Sequence, residues 1–133
     1  MKLKNNTVLI TGGSSGIGLA LSKVLVQKGN KVIICGKSNE KLLAAKQAIP
    51  ELITYQCDLS VSSECTDFAG KIAKNHPDLN ILINNAAIVN KIDFFNNDNA
   101  IELAEKEYRT NLLAPIRLIK LLYPTLSAND FTA

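Results

Sequence analysis

The fold is decided by one stretch, Thr7-Val8-Leu9-Ile10-Thr11-Gly12-Gly13-Ser14-Ser15-Gly16-Ile17-Gly18. Thr7–Thr11 is rich in β-branched residues and bounded by Gly12-Gly13, so it reads as a buried strand. Beyond the glycines, apolar residues at Ile17, Leu21, Val24 and Leu25 have helical spacing over residues 17–28, and Gly29 closes that helix. A strand, a tight glycine turn and a helix N-terminus together can bind a pyrophosphate. The backbone approaches the ligand closely, and the helix start offers free N–H groups and a positive dipole end. In this reading Gly12 makes the turn, Gly16 allows the approach, and Gly18 lets the helix pack on the strand. Ser14 and Ser15 can donate hydroxyl hydrogen bonds to phosphate or ribose. Glycines alone would equally suit a purely structural turn. The strand before them and the helix after them favour the nucleotide.

Outward from this loop the same rhythm repeats. Residues 31–35 form a second strand, and Asn39 can cap a helix that runs to about Ile49, where Pro50 stops it. Residues 52–56 read as a third strand, and Ser60 or Ser62 starts a helix to about Asn75. After His76-Pro77-Asp78 comes a fourth strand at 81–84, then a polar segment at 90–99 and a long helix at about 100–122. Pro115 should kink that helix. Alternating strands and helices call for crossovers onto a parallel sheet. The expected architecture is a doubly wound α/β domain over residues 1–133, with at least four strands ordered 3-2-1-4.

Composition sets limits on what the chain can do. With 47% apolar and 20% charged residues it has an ordinary globular balance, and a net charge of +3 is too weak and scattered to argue for nucleic acid. No stretch approaches a membrane span, and Val8-Leu9-Ile10 is too short for a signal peptide core, so a cytoplasmic location is expected. Cys35, Cys57 and Cys65 lack metal-like spacing and read as reduced, buried thiols rather than reactive ones. No metal site is expected. His76, beside Pro77, reads as structural or exposed.

The spacing Thr11-Gly12-x-x-x-Gly16-Ile17-Gly18 resembles the short-chain dehydrogenase/reductase family, and three further motifs fall where that family has them. Cys57-Asp58-Leu59 follows the third strand, where the family's Asp contacts adenine. Asn84-Asn85-Ala86-Ala87 resembles the family's Asn-Asn-Ala-Gly signature, with Ala87 in place of the last Gly. Asn111 matches the family's catalytic Asn on the long helix. The resemblance implies a Rossmann-like fold, a nicotinamide dinucleotide cofactor and hydride transfer to or from a carbonyl or alcohol. It also implies a cofactor role for Thr11, Ile17, Leu59, Asn84 and Ala86 beside the loop residues. On the residues themselves, Asp58 could instead be a loop or helix-start carboxylate. Asn84 and Asn85 could serve loop backbone, and Asn111 could face solvent.

An NAD site usually carries Asp or Glu after the second strand. Here Ile34-Cys35-Gly36-Lys37-Ser38 has no acid before Glu40. Lys37 can pair with a 2′-phosphate and Ser38 can hydrogen-bond to it, so NADP(H) is expected over NAD(H). The family's chemistry also needs a Tyr with a Lys four residues later, and a Ser. Tyr55, Tyr108 and Tyr123 are followed at that spacing by Leu59, Leu112 and Ser127. The chain thus reads as the cofactor-binding portion of such an enzyme, with about four of the family's seven strands. It is expected to be inactive alone. A nucleotide-binding regulatory module and one half of a split enzyme remain open alternatives. A fourth strand left at the sheet edge, and a long helix lacking a partner along Ile116, Ile119 and Leu122, point to self-association or a complementing chain.

Overall fold

The computed structural model describes residues 4–129. Strand β1 (Thr7–Thr11) is buried along its whole length because it lies inside the sheet. Strand β2 (Lys31–Gly36) pairs with it on one side and β4 (Ile81–Ile83) on the other, with β3 (Ile53–Gln56) beyond β2. All pairings are parallel, and the order β3-β2-β1-β4 is the one expected from the sequence. Three helices connect these strands: α1 (Gly16–Gln27), α2 (Asn39–Ala48) and α3 (Ser62–Asn75). After β4 come α4 (Ala100–Tyr108), a π turn (Arg109–Leu113) and α5 (Ala114–Ser127).

Period-2 alternation splits the strand residues between two cores. Val8, Ile10, Val32 and Ile34 meet Leu25, Leu42 and Ala45 from α1 and α2 on one face. Leu9, Ile33 and Cys35 meet Phe68, Ile72, Leu118 and Leu122 from α3 and α5 on the other. Leu9, Ile10, Ile33 and Ile34 are wholly buried, each contributing roughly 1.5–3 kcal/mol of apolar burial. The chain winds from β1 out to β3, then crosses back to β4 on the far side of β1. Strand order therefore reverses beside β1, and a crevice opens at the carboxyl ends there.

Several local expectations are corrected. The packing face of α1 is Gly18, Ser22 and Leu25, while Ile17 is 81% exposed and Val24 is also exposed. Ser22 tolerates burial because its hydroxyl donates to the Gly18 carbonyl at 2.7 Å. The cap of α2 is Ser38, whose Oγ accepts from the Lys41 N–H at 3.3 Å, and not Asn39, which is already helical. Of the two serines expected to open α3, Ser62 is the one that does, with Val61 as the cap residue. The segment at 90–99 is less polar at its surface than its composition suggests, since Phe94 and Phe95 both stand exposed.

The long helix is also not continuous. At its centre the Ala114 N–H donates to the Arg109 carbonyl, one residue further back than an α-helix would send it. Pro115 has no N–H for the Asn111 carbonyl, and its ring would strike that carbonyl in regular α geometry. The widened π turn before the proline resolves the conflict. Past it, α5 runs through Pro124 to Ser127, further than expected. Leu122 is buried in the α3–α5 core and is no part of an unpartnered face, whereas Ile116 and Ile119 are about half exposed.

Three buried asparagines tie the amino ends of the strands, a feature the sequence reading did not find. Asn30 Oδ1 accepts from Asn6 N and Nδ2, each at 3.0 Å. Asn80 Oδ1 accepts from the Thr7 N–H at 3.0 Å, and Asn80 Nδ2 donates to Asn6 Oδ1 at 3.1 Å. Buried amides satisfied this fully fix strand register at one end of the sheet and leave the other end to the site.

Candidate functional site

At the carboxyl ends of the strands lies an open cavity of ≈ 810 Å³, within the usual range for small-ligand sites. Its wall contains Gly12, Ser14, Ser15, Ile17 and Gly18 from the glycine loop, with Lys37, Ser38, Asp58, Leu59 and Ala86. Asn84, Gly16, Thr11 and Asn111 are not among its lining residues. Lining residues that sequence reasoning missed include Lys41, Asn90 and Lys106, and Asn85, named there only within its motif, lines the cavity as well.

The loop is shaped by two positive φ angles, 65° at Gly12 and 53° at Gly16, a region that disfavours residues with a Cβ. A Cβ on Gly16 would meet nothing within 4 Å, so the backbone there is open to a ligand. Ser15 caps α1 without a side-chain bond to the helix, and the first turn holds no acidic residue. The N–H groups and positive end of α1 therefore face the loop without a neutralising carboxylate.

Thr11 supports the loop from below. Its Oγ1 accepts from the Asn85 and Ala86 N–H groups, both at 3.0 Å, while Asn85 Nδ2 donates to the Thr11 and Gly12 carbonyls. This joins the end of β1 to the segment after β4 across the switch point. Thr11→Val keeps the shape and removes the acceptor, stranding two partly buried N–H groups. It is expected to lower stability by about 2 kcal/mol. Urea unfolding of both proteins measures this; a loss below about 0.5 kcal/mol would leave the hydroxyl without that role.

At the other end of the cavity, Lys37 Nζ pairs with Asp58 Oδ2 at 2.9 Å. The Asp58 carboxylate beside it holds the Lys37 ammonium above its ordinary pKa. Burial pushes Asp58 upward, but bonds from Ser60 and the pair with Lys37 outweigh it and leave the carboxyl below its usual value. Asp58 Oδ1 accepts from Ser60 N at 3.0 Å and from Ser60 Oγ at 2.6 Å, while the Asp58 N–H donates to Glu64 at 2.9 Å. Asp58 thus serves the turn before α3 and the cavity wall together. Cys57 lines the same wall, and burial pushes its thiol up to about 12, so it is a neutral surface there and not a nucleophile.

Of the paired asparagines, it is Asn85 that turns inward and Asn84 that stands exposed. Asn111 Oδ1 accepts from the Ile88 N–H at 2.9 Å, and its Nδ2 donates to the Ile88 carbonyl at 2.8 Å. The Asn111 side chain therefore clamps the segment after β4 to the π turn. His76 is buried against Tyr55, with Nε2 2.9 Å from the phenol oxygen, and is not among this cavity's lining residues. Among the described residues no cluster of His, Cys, Asp or Glu is placed to hold a metal ion, and no helix is long and apolar enough to cross a membrane.

A parallel sheet ordered 3-2-1-4, with a glycine loop at its switch point and a cleft over the strand ends, defines a dinucleotide-binding α/β protein. The short chain dehydrogenase family model matches residues 6–131, and the chain belongs to that family. It is 45% identical over 126 residues to the uncharacterized oxidoreductase DltE of Bacillus subtilis, covering 95% of this chain and 50% of that protein. An uncharacterized oxidoreductase of Saccharomyces cerevisiae is 34% identical over 118 residues, covering 87% of this chain and 37% of that one. A metagenomic short-chain oxidoreductase solved in complex with NADP superimposes with a TM-score of 0.81 at 27% identity, over 96% of this chain and 59% of the other. The chain thus spans between 37% and 59% of the length of these relatives.

Proposed function

We propose that this chain is the cofactor-binding portion of an oxidoreductase that moves hydride between a nicotinamide dinucleotide and a carbonyl or alcohol, with NADP(H) preferred over NAD(H). One observation carries the preference. The cavity wall just past β2 presents Lys37, Ser38 and Lys41, and no acid from that loop. The open backbone at Gly16 and the uncapped start of α1 suit the pyrophosphate. The metagenomic relative solved with NADP supports the same reading.

In this reading the N–H groups of Ser14, Ser15 and the first turn of α1 through Gly18 hold the pyrophosphate, while the Gly12 N–H donates to the Cys35 carbonyl and Gly12 shapes the turn. Lys37 and Ser38 hold the 2′-phosphate. Asp58 and Leu59 border the adenine, and Ala86, with Asn85 behind it, lines the path toward the nicotinamide. When bound, the nicotinamide ring supplies or accepts the hydride. Asn111 acts as a positioning residue, holding the segment after β4 through Ile88. The proton-transfer step falls to a Tyr-x-x-x-Lys pair, which these 133 residues do not contain. Half-exposed Ile116 and Ile119 and the edge position of β4 favour association with a second copy or a complementing chain.

Dissociation constants for NADPH and NADH, measured by fluorescence titration, test the preference. NADPH is expected to bind at least about tenfold tighter, the worth of one charge-assisted contact. Equal affinities, or tighter NADH, overturn it.

A further inference from the structure

Three lysines from separate elements line the same cavity: Lys37 after β2, Lys41 in the first turn of α2, and Lys106 in the last turn of α4. The carboxylate in that wall is Asp58, with Glu64 behind it accepting from the Asp58 N–H. Lys37 holds Asp58 at 2.9 Å, and the side chain of Lys106 lies beside that of Lys37. Ammonium groups only donate, so the two lysines cannot satisfy each other. Among the described residues neither Lys41 nor Lys106 has an ion-pair partner. In the wall of this cavity three ammonium groups stand against one carboxylate.

Lys37 has three donors, but an ammonium bridging Asp58 and a 2′-phosphate would hold two anions within roughly 5 Å of each other, where they repel. Turning Lys37 to the phosphate relieves its hold on Asp58, and a carboxylate without an ion-pair partner there repels the incoming dianion. Lys106 already stands next to the ammonium that would leave. We propose that Lys106 is a specificity-determining residue of the cofactor site: it takes over Asp58 when Lys37 turns to the 2′-phosphate, so that the exchange exposes no unpaired acid. This inference rests on reading the cavity as an NADP(H) site, and it gives α4 a part in cofactor choice that the loop after β2 alone would not require.

The test uses 2′,5′-ADP and 5′-AMP, which differ only in the 2′-phosphate, titrated into the full chain at low ionic strength. The readout is the preference for 2′,5′-ADP, in wild type, Lys106→Met, Asp58→Asn and the double variant. Lys106→Met is expected to lower that preference about fivefold while AMP affinity stays within about twofold. In the Asp58→Asn background the same substitution is expected to change the preference by less than about twofold, because no carboxylate remains to be held. Equal loss of both ligands, or a loss undiminished by Asp58→Asn, overturns the proposal. Lys106 is exposed, so its replacement is not expected to unfold the chain, and unchanged urea midpoints check that. Wild type that binds AMP as tightly as 2′,5′-ADP, or binds neither, sinks the underlying cofactor reading before any variant is compared.

Discussion

Gly18→Val is expected to destabilise the chain by at least about 3 kcal/mol and to take cofactor binding with it. A Cβ at this position would lie 2.3 Å from the Gly12 carbonyl oxygen and 2.5 Å from Asn85 Nδ2. The first obstacle is backbone, and that backbone is the glycine turn itself. The second is the side chain that bonds the Thr11 and Gly12 carbonyls, so yielding there breaks the link between β1 and the segment after β4. No rotamer change relieves the first contact, and moving the Asn85 side chain to relieve the second sacrifices its bonds to the turn. Gly16→Ala makes the informative contrast. Its Cβ meets nothing within 4 Å, so only the left-handed φ of 53° penalises it, at roughly 1–2 kcal/mol. The added methyl would stand where the backbone is open, and NADPH affinity is expected to fall about tenfold or more in a chain that still folds. Urea unfolding and NADPH titration on both variants separate the effects. A Gly18→Val protein with the wild-type midpoint would show that α1 does not pack on the turn as described.

The topology was legible because parallel strands buried on both faces spell themselves as short apolar runs between glycine and proline breaks. Thr7–Thr11 and the runs near 31–35 and 81–84 could hardly be anything else. The glycine loop was legible for a related reason, since Gly12 and Gly16 adopt backbone angles that other residues avoid. Side-chain assignments were harder. Ile17 counts as apolar in any periodicity, yet it sits at the first turn of α1, where the helix leaves the sheet, and it is exposed. Ser38 and Asn39 are both good caps, and only the backbone decides between them: Ser38 is extended while Asn39 is helical. The Asn6, Asn30 and Asn80 network joins residues far apart in sequence, so no local pattern announces it. Asn85 over Asn84 follows from strand alternation carried two residues past β4, a signal that was present and not used.

The break between α4 and α5 shows why a proline rule gives a position but not a shape. Pro115 forbids the α bond to the Asn111 carbonyl, and a kink or a widened turn can each remove the conflict. A widened turn stands here, and the Asn111 side chain closes on both backbone groups of Ile88. The irregular turn and the segment after β4 are therefore one unit. Lys106, just before the turn, and Thr110, within it, share the cavity wall with Lys37 and Asp58. What the sequence presents as distant motifs, the fold brings to one cleft.

Lys37→Glu is expected to raise the NADPH dissociation constant about 100-fold and to leave NADH within about threefold. Losing one charge-assisted contact to the phosphate accounts for roughly 1.5–3 kcal/mol, or about 10- to 100-fold, and like-charge repulsion adds to it. The pair with Asp58 does not protect NADPH binding from this change. Lys37 is well exposed in it, and an exposed pair contributes only about 0–1 kcal/mol, less than a phosphate contact returns. The substitution also puts an acid just after β2, where an NAD site carries the one that holds the ribose hydroxyls, so NADH has no reason to weaken. Lys37→Met separates lost attraction from added repulsion and is expected to fall between wild type and Lys37→Glu. Titration of both dinucleotides at two salt concentrations reads all of this, and the NADPH effect is expected to shrink with salt. Parallel weakening of NADPH and NADH would instead mean that Lys37 serves the cofactor only by fixing Asp58, and the preference would then have to come from elsewhere in the cleft.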